Sequence, residues 1–199
     1  MSVEWLQRLI GRWLVARWAA RMIAADAVVI DTETTDFDGA ICELAVVDLD
    51  GTVLLETLLD PGLPIAPEAS EVHGLTDLDV AGQPRFVEVL EDLLACTSGR
   101  PVLAYNAPFD RAALRGEAER AGIDLRGLEK PEHWGCIMRA RAASERAEWK
   151  PLHGGHRARS DAAAAARIVR HLAAPWPGRP ARPARLARLA RLARLSRIS

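Results

Sequence analysis

The segment Ala27-Val28-Val29-Ile30-Asp31-Thr32-Glu33-Thr34-Thr35 decides the fold. Its first four residues form a short apolar run, which reads as a buried central strand. The strand delivers two carboxylates at alternate positions. Side chains alternate across a strand, so Asp31 and Glu33 point to the same side. Acids at strand ends are common, and this pair alone does not make a site.

Residues 41–49 and 52–59 are two further strand-like runs, and Asp50-Gly51 between them is a hairpin-turn signal. Residues 61–67 read as a loop. Residues 85–96 have helical period, with Phe86, Val89, Leu90, Leu93 and Leu94 on one face. Residues 101–105 read as a short strand. Pro108 opens a helix that runs to Ala121 and stops at Gly122. An Ala-rich helix is expected over residues 161–172, small enough on its surface for close packing. Strands interleaved with helices predict an α/β domain with a mixed sheet, hairpin first and crossover helices later.

The chain has 199 residues, 49% of them hydrophobic, which is enough for one well-filled domain. The formal net charge of −1 hides an asymmetry. Residues 179–199 hold seven Arg and no acid, leaving 19 basic against 27 acidic residues, or −8, in the rest. An acidic body does not suit a purely electrostatic DNA binder. It suits an enzyme whose acids hold cations that in turn hold phosphates.

The three cysteines, Cys42, Cys96 and Cys136, form no C-x-x-C motif. Neither a disulfide framework nor a cysteine zinc site is expected, and a reducing, cytoplasmic setting is. No run of 18 uncharged apolar residues predicts a transmembrane segment.

Three parts are expected: an amphipathic helix over residues 1–25, a domain over 26–175, and a flexible Pro/Arg-rich basic tail over 176–199. The first part carries Trp5, Leu9 and Trp13 at helical spacing, with Leu6, Ile10 and Leu14 beside them. This stripe predicts a docking helix; a membrane-surface helix or a targeting peptide shares the pattern. The tail repeats Ala-Arg-Leu, and a period of 3 drifts by about 60° per repeat on an α-helix, so its Leu residues form no straight seam. Either end is a candidate contact for a polymerase or another partner.

Two further segments carry chemistry. In Asn106-Ala-Pro-Phe-Asp110, Asp110 falls in the first turn of a helix that follows a strand. An acid there also suits the helix dipole, and Asn106 also suits a cap. In His153-Gly-Gly-His156-Arg-Ala-Arg-Ser-Asp161, Ser160 and Asp161 also suit a helix cap. A zinc site from His153, His156 and Cys136 fits no familiar spacing. Together the segments place four acids and a histidine at strand ends and helix starts, where α/β sheets carry their sites. Four crowded carboxylates repel, and two divalent cations would neutralise them. Hard oxygen ligands select Mg²⁺ or Mn²⁺. Two such ions about 4 Å apart suit in-line attack on a phosphodiester.

These motifs resemble the DEDDh exonucleases, the DnaQ-like group that includes the epsilon proofreading subunit of bacterial replicative polymerase. The resemblance is carried by Asp31-x-Glu33, Asp110 in N-A-P-F-D, His156-x-x-x-x-Asp161, and Val72-His73-Gly74-Leu75-Thr76. It covers about residues 25–174. It implies an RNase H-like fold, a mixed five-stranded sheet with one antiparallel strand, flanked by helices. It implies a 3′→5′ exonuclease acting on DNA or RNA ends with two metal ions. Asp31, Glu33 and Asp161 would hold one metal, with Asp31 and Asp110 serving the second. His156 would be the general base, because imidazole titrates near neutrality. The five-residue step to Asp161 selects it over His153. Thr34, Thr35, His73, Asn106 and Phe109 are the candidate substrate contacts; Phe109 and His73 fit packing roles equally well. All four acids and the histidine are present, which argues against an inactive binding module.

Overall fold

A computed structural model describes residues 3–174 apart from residues 146 and 148, with residues 3–9 described by backbone only. The order is α1 (Val3–Ala24), β1 (Val28–Thr34), β2 (Ile41–Asp48), β3 (Val53–Leu58), α2 (Pro67–His73), α3 (Asp77–Val80) and α4 (Phe86–Thr97). Then follow β4 (Val102–Ala104), α5 (Ala107–Ala121), β5 (Trp134–Cys136), α6 (Ile137–Glu145) and α7 (Ala158–Ala173). The five strands form one sheet in the order β3-β2-β1-β4-β5. Only β2 runs against the others. This is the mixed five-stranded sheet implied above.

The alternation of β1 sorts its residues between two layers. Val28 and Ile30 face the layer of α4 and α5, packing with Phe86, Leu90, Leu93 and Leu114. Val29 faces the opposite layer, with Ala19 of α1, Ile137 of α6, and Ala162, Ala165 and Val169 of α7. Those α7 residues, with Ala166, recur at i, i+3, i+4 and i+7 and are at most 1% exposed. Their small side chains let the helix lie close against the sheet.

Three expectations need correction. The helix α1 is present, but Ile10, Trp13 and Leu14 are about half exposed, at 50%, 49% and 54%. Docking instead uses Val15, Trp18, Ala19 and Met22, on nearly the opposite side. Ala19 lies close to the sheet layer because it is small, and the sequence stripe underrated it. On the outer side the Arg17 guanidinium sits 4.6 Å from the Trp13 ring centroid. Trp5, Leu6 and Leu9 fall outside the residues whose side chains are described. Second, the predicted loop is present, but the stretch after it, given no element above, is the helix α2, which starts at Pro67 with Pro in the first helical turn. Third, α7 starts at Ala158, three residues before Asp161. Neither Ser160 nor Asp161 is its cap.

The stretch between α5 and α7 contributes β5 and α6. β5 has three residues, too few for a periodicity signal. Its central Gly135 is required because the Leu103 side chain and Trp18 ring occupy the space a β-carbon would take. No described helix is long and apolar enough to cross a membrane. The basic tail over 176–199 lies outside the described residues.

Candidate active site

Asp31 and Glu33 share the face of β1 that carries Val29, so they turn toward α7. One oxygen from each of Asp31, Glu33 and Asp161 lies within 4.8 Å of the other two. Asp161 reaches them from the first turns of α7. The intervening Thr32 points the other way, toward α5, and meets Asp110. Thr32 donates to Asp110 Oδ1 from both its amide and its hydroxyl, each at 3.1 Å. The four acids therefore converge on the carboxyl end of β1 from two helices on opposite faces of the sheet.

Their electrostatics follow from burial and crowding. Burial, then the charges of Asp110, Glu33, Asp161 and Glu43, push the Asp31 carboxyl well above its usual range. Glu33 is pushed up to about 8, first by burial and then by Asp161, Glu43 and Asp110, with Arg157 opposing. Asp110 is raised to about 7 by burial, against the lowering effect of its bonds from Thr32. Burial also raises Asp161, while His156 lowers it. Asp161 Oδ1 is buried without a hydrogen-bond partner. A buried acceptor left unpaired is costly, and a cation would satisfy it. The donor set is all carboxylate oxygen, which suits a hard divalent cation.

His156 is exposed on the loop before α7, in a left-handed conformation with φ 55°. Its backbone amide and its charge oppose the burial that raises the Asp161 carboxyl. A β-carbon at Gly154 would overlap that carboxylate, so the loop can pass there only with glycine. His153 is exposed on the same loop.

The remaining candidates differ among themselves. The Thr34 hydroxyl donates to Asp36 O at 2.7 Å, and the Thr35 hydroxyl accepts from Ala40 N at 3.0 Å. Both hydroxyls are engaged in shaping the loop after β1. His73 is 6% exposed; its Nε2 lies 3.3 Å from Thr34 O and its Nδ1 accepts from Leu75 N at 3.1 Å. Both ring nitrogens are thus committed to packing α2 against the end of β1. Asn106 is exposed at the start of α5 and makes no side-chain cap bond. Phe109 packs at 5.9 Å between ring centroids on Phe37, which is 79% exposed.

Sequence reasoning missed Phe37, although an aromatic residue two positions past the Asp31 to Thr35 motif was a usable signal. It also missed Glu43 and Arg157. Glu43 lies directly opposite Glu33 in the β1–β2 register. Arg157 Nη2 donates to Glu43 Oε1 at 2.7 Å, and Arg157 Nε lies 3.1 Å and 3.0 Å from the two Glu43 oxygens. The Ala158 amide donates to Glu43 Oε2 at 2.9 Å. No local pattern announces a contact across 114 positions.

The chain is similar to exodeoxyribonuclease 10 of Escherichia coli (strain K12), at 34% identity over 115 residues, covering 56% of this chain and 44% of the relative. It is also similar to the DNA polymerase III subunit epsilon of Haemophilus influenzae, at 32% identity over 111 residues, 50% of this chain and 43% of the relative. It thus spans under half the length of these two curated relatives. Among solved structures, it resembles a 3′-exonuclease that recognises the 3′ end of a histone mRNA stem-loop. The TM-score is 0.58 at 16% identity, over 75% of this chain and 65% of that one. At that identity the likeness is one of fold. The RNase_T exonuclease family matches residues 28–169, from the first strand to the last turns of α7. With the sheet order, the converging acids and this match all in agreement, the chain belongs to the RNase_T exonuclease family.

Proposed function

We propose that this protein is a divalent-metal-dependent 3′→5′ exonuclease that hydrolyses the terminal phosphodiester of a DNA single strand or frayed end, releasing nucleoside 5′-monophosphates. The observation that carries the reading is the convergence of Asp31, Glu33, Asp161 and Asp110 on one strand end, with Asp161 Oδ1 buried and unpaired. Asp31, Glu33 and Asp161 would hold one Mg²⁺ or Mn²⁺, and Asp31 with Asp110 a second. Bound there, such ions supply Lewis-acid activation of water and neutralise charge building on the phosphate.

The chain's own residues do the rest. His156 takes the proton of the attacking water from its exposed loop. Water attacks phosphorus, the 3′ oxygen of the penultimate nucleotide leaves, and one nucleotide is released. Phe37 and Phe109 offer an apolar face to the terminal base. Thr34, Thr35 and His73 act on the substrate by shaping the loop beside it, since their polar side-chain atoms are already engaged. DNA is favoured over RNA because the two curated relatives described above are named for DNA enzymes. A polymerase or other partner reached through the exposed side of α1 and a cytoplasmic setting accompany this reading.

The test uses 5′-labelled single-stranded DNA and matching RNA with Mg²⁺, with Mn²⁺, with EDTA, and with Asp31→Ala. A ladder shortening from the 3′ end, absent in EDTA and in the variant, is expected. Full activity in EDTA or in Asp31→Ala would overturn the metal assignment.

A further inference from the structure

The site contains a fifth acid that the proposed chemistry does not use. Glu43 faces Glu33 across the β1–β2 pair. Like charges in that relation destabilise a sheet. Glu43 is also 3% exposed, so water does not screen it. Its charge raises the proton affinity of Asp31, Glu33 and Asp161 together. A residue that disturbs three of the proposed metal ligands at once must be held by something.

Arg157 and the first amide of α7 hold it. The guanidinium lies along the carboxylate with Nε and Nη2, and Ala158 N–H satisfies the second oxygen. Planar two-point pairing fixes direction as well as distance. Arg157 is also the pivot of the loop. Its carbonyl accepts from the Asp161 amide at 3.0 Å and from the Ser160 hydroxyl at 3.0 Å. The residue before it is His156, whose backbone is left-handed, and Gly155 before that has φ 106°. A non-glycine residue keeps such a conformation only where its surroundings impose it.

We propose that the Glu43–Arg157 pair is the brace of this site: it ties the start of α7 to β2 and thereby sets His156 and Asp161 against Asp31 and Glu33. The pair positions these groups and touches no substrate. The inference rests on the exonuclease reading for its catalytic consequence, but its structural consequence stands apart from that reading. Arg157 also offsets the charge that Glu43 brings beside Glu33. The exposed pair Arg170–Asp50, near the far end of the same helix, serves as a control.

The test compares Glu43→Gln, Arg157→Met, the double variant and Arg170→Ala in the full chain. Two readouts are needed: kcat and KM on labelled single-stranded DNA, and amide hydrogen exchange of the metal-free protein. Each brace variant should lower kcat by about 10- to 100-fold, the usual cost of losing an outer partner of a metal ligand, with KM little changed. The double variant should be no worse than the poorer single one, since the two groups act as one unit. Exchange at Ala158 and Asp161 should accelerate while that of the sheet amides does not. Arg170→Ala should match the unaltered protein. Multiplicative losses in the double variant, or unchanged exchange in Arg157→Met, would overturn the brace. If the unaltered chain degrades neither DNA nor RNA, the exonuclease reading fails and the exchange result alone decides the brace.

Discussion

The two helices that bring acids to β1 hold them in different ways. On the α5 side, Asp110 is fixed by two donors from one residue of the neighbouring strand, and Asn106 at the helix start adds no side-chain bond. On the α7 side, Asp161 keeps an oxygen without a hydrogen-bond partner and packs against Gly154, in a loop whose next two residues have positive φ values. Its helix is tied down remotely, by a glutamate 114 positions away. One wall of the site is set by short contacts within the sheet layer. The other is set by a brace and a turn, and it carries the proposed proton acceptor, His156.

The contrast can be broken from the α7 side first. His156→Ala should lower kcat by about 10²- to 10⁴-fold, the usual contribution of a general base. Titration of Mn²⁺ into the same variant should be nearly unchanged, because the acids remain. A crippled His153→Ala with a healthy His156→Ala would move the proton acceptor to the other histidine of the loop.

The acids themselves give a pH prediction of intermediate size. Glu33 is raised from 4.5 to about 8 and Asp110 from 3.8 to about 7. Between those limits the folded protein binds more protons than the unfolded chain. Stability of the metal-free protein should therefore be greatest below about pH 4 as far as these groups are concerned, and fall as pH rises toward 8. A loss on the order of 5 °C in Tm between pH 5.5 and 8 in EDTA is a reasonable scale for a chain of this size. Saturating Mg²⁺ should flatten the slope, because a cation replaces the protons. A melting series with the same slope in EDTA and in Mg²⁺ would contradict the assignment of these acids to a cation.

The smallest effect should come from the α5 side. Thr32→Val keeps the shape and the backbone bond but removes the hydroxyl donor to Asp110. One hydrogen bond is worth about 1 kcal/mol, or roughly 2–4 °C in Tm. Activity should fall by only a few-fold. A larger kinetic loss here than in Arg157→Met would reverse the comparison between the two walls.

The local signals were strong where one element carried them. The apolar run before Asp31, the Asp50-Gly51 turn and the Gly122 stop each rest on neighbouring residues, and each appears where expected. The α1 docking face was misjudged because large apolar side chains dominate a sequence stripe, while Ala19 makes the close contact. β5 was missed because three residues around a glycine carry no period. Thr34, Thr35 and His73 looked like substrate contacts in one dimension. In three, each also bonds within the loops that flank the site, a second role that spacing does not show.

By itself, then, the sequence determined which residues bear charge, how they alternate along β1, and where helices begin and end near Asp110. These depend on bonds and steric preferences within a few residues. Only the tertiary structure decided that Asp110 and Asp161 reach one strand end from opposite faces, that Asp161 keeps a buried oxygen without a hydrogen-bond partner, and that the charge of Glu43 is offset by Arg157. Those facts depend on pairs brought together by packing the sheet between its helices, and the energy of a buried charge depends on every neighbour that excludes water from it.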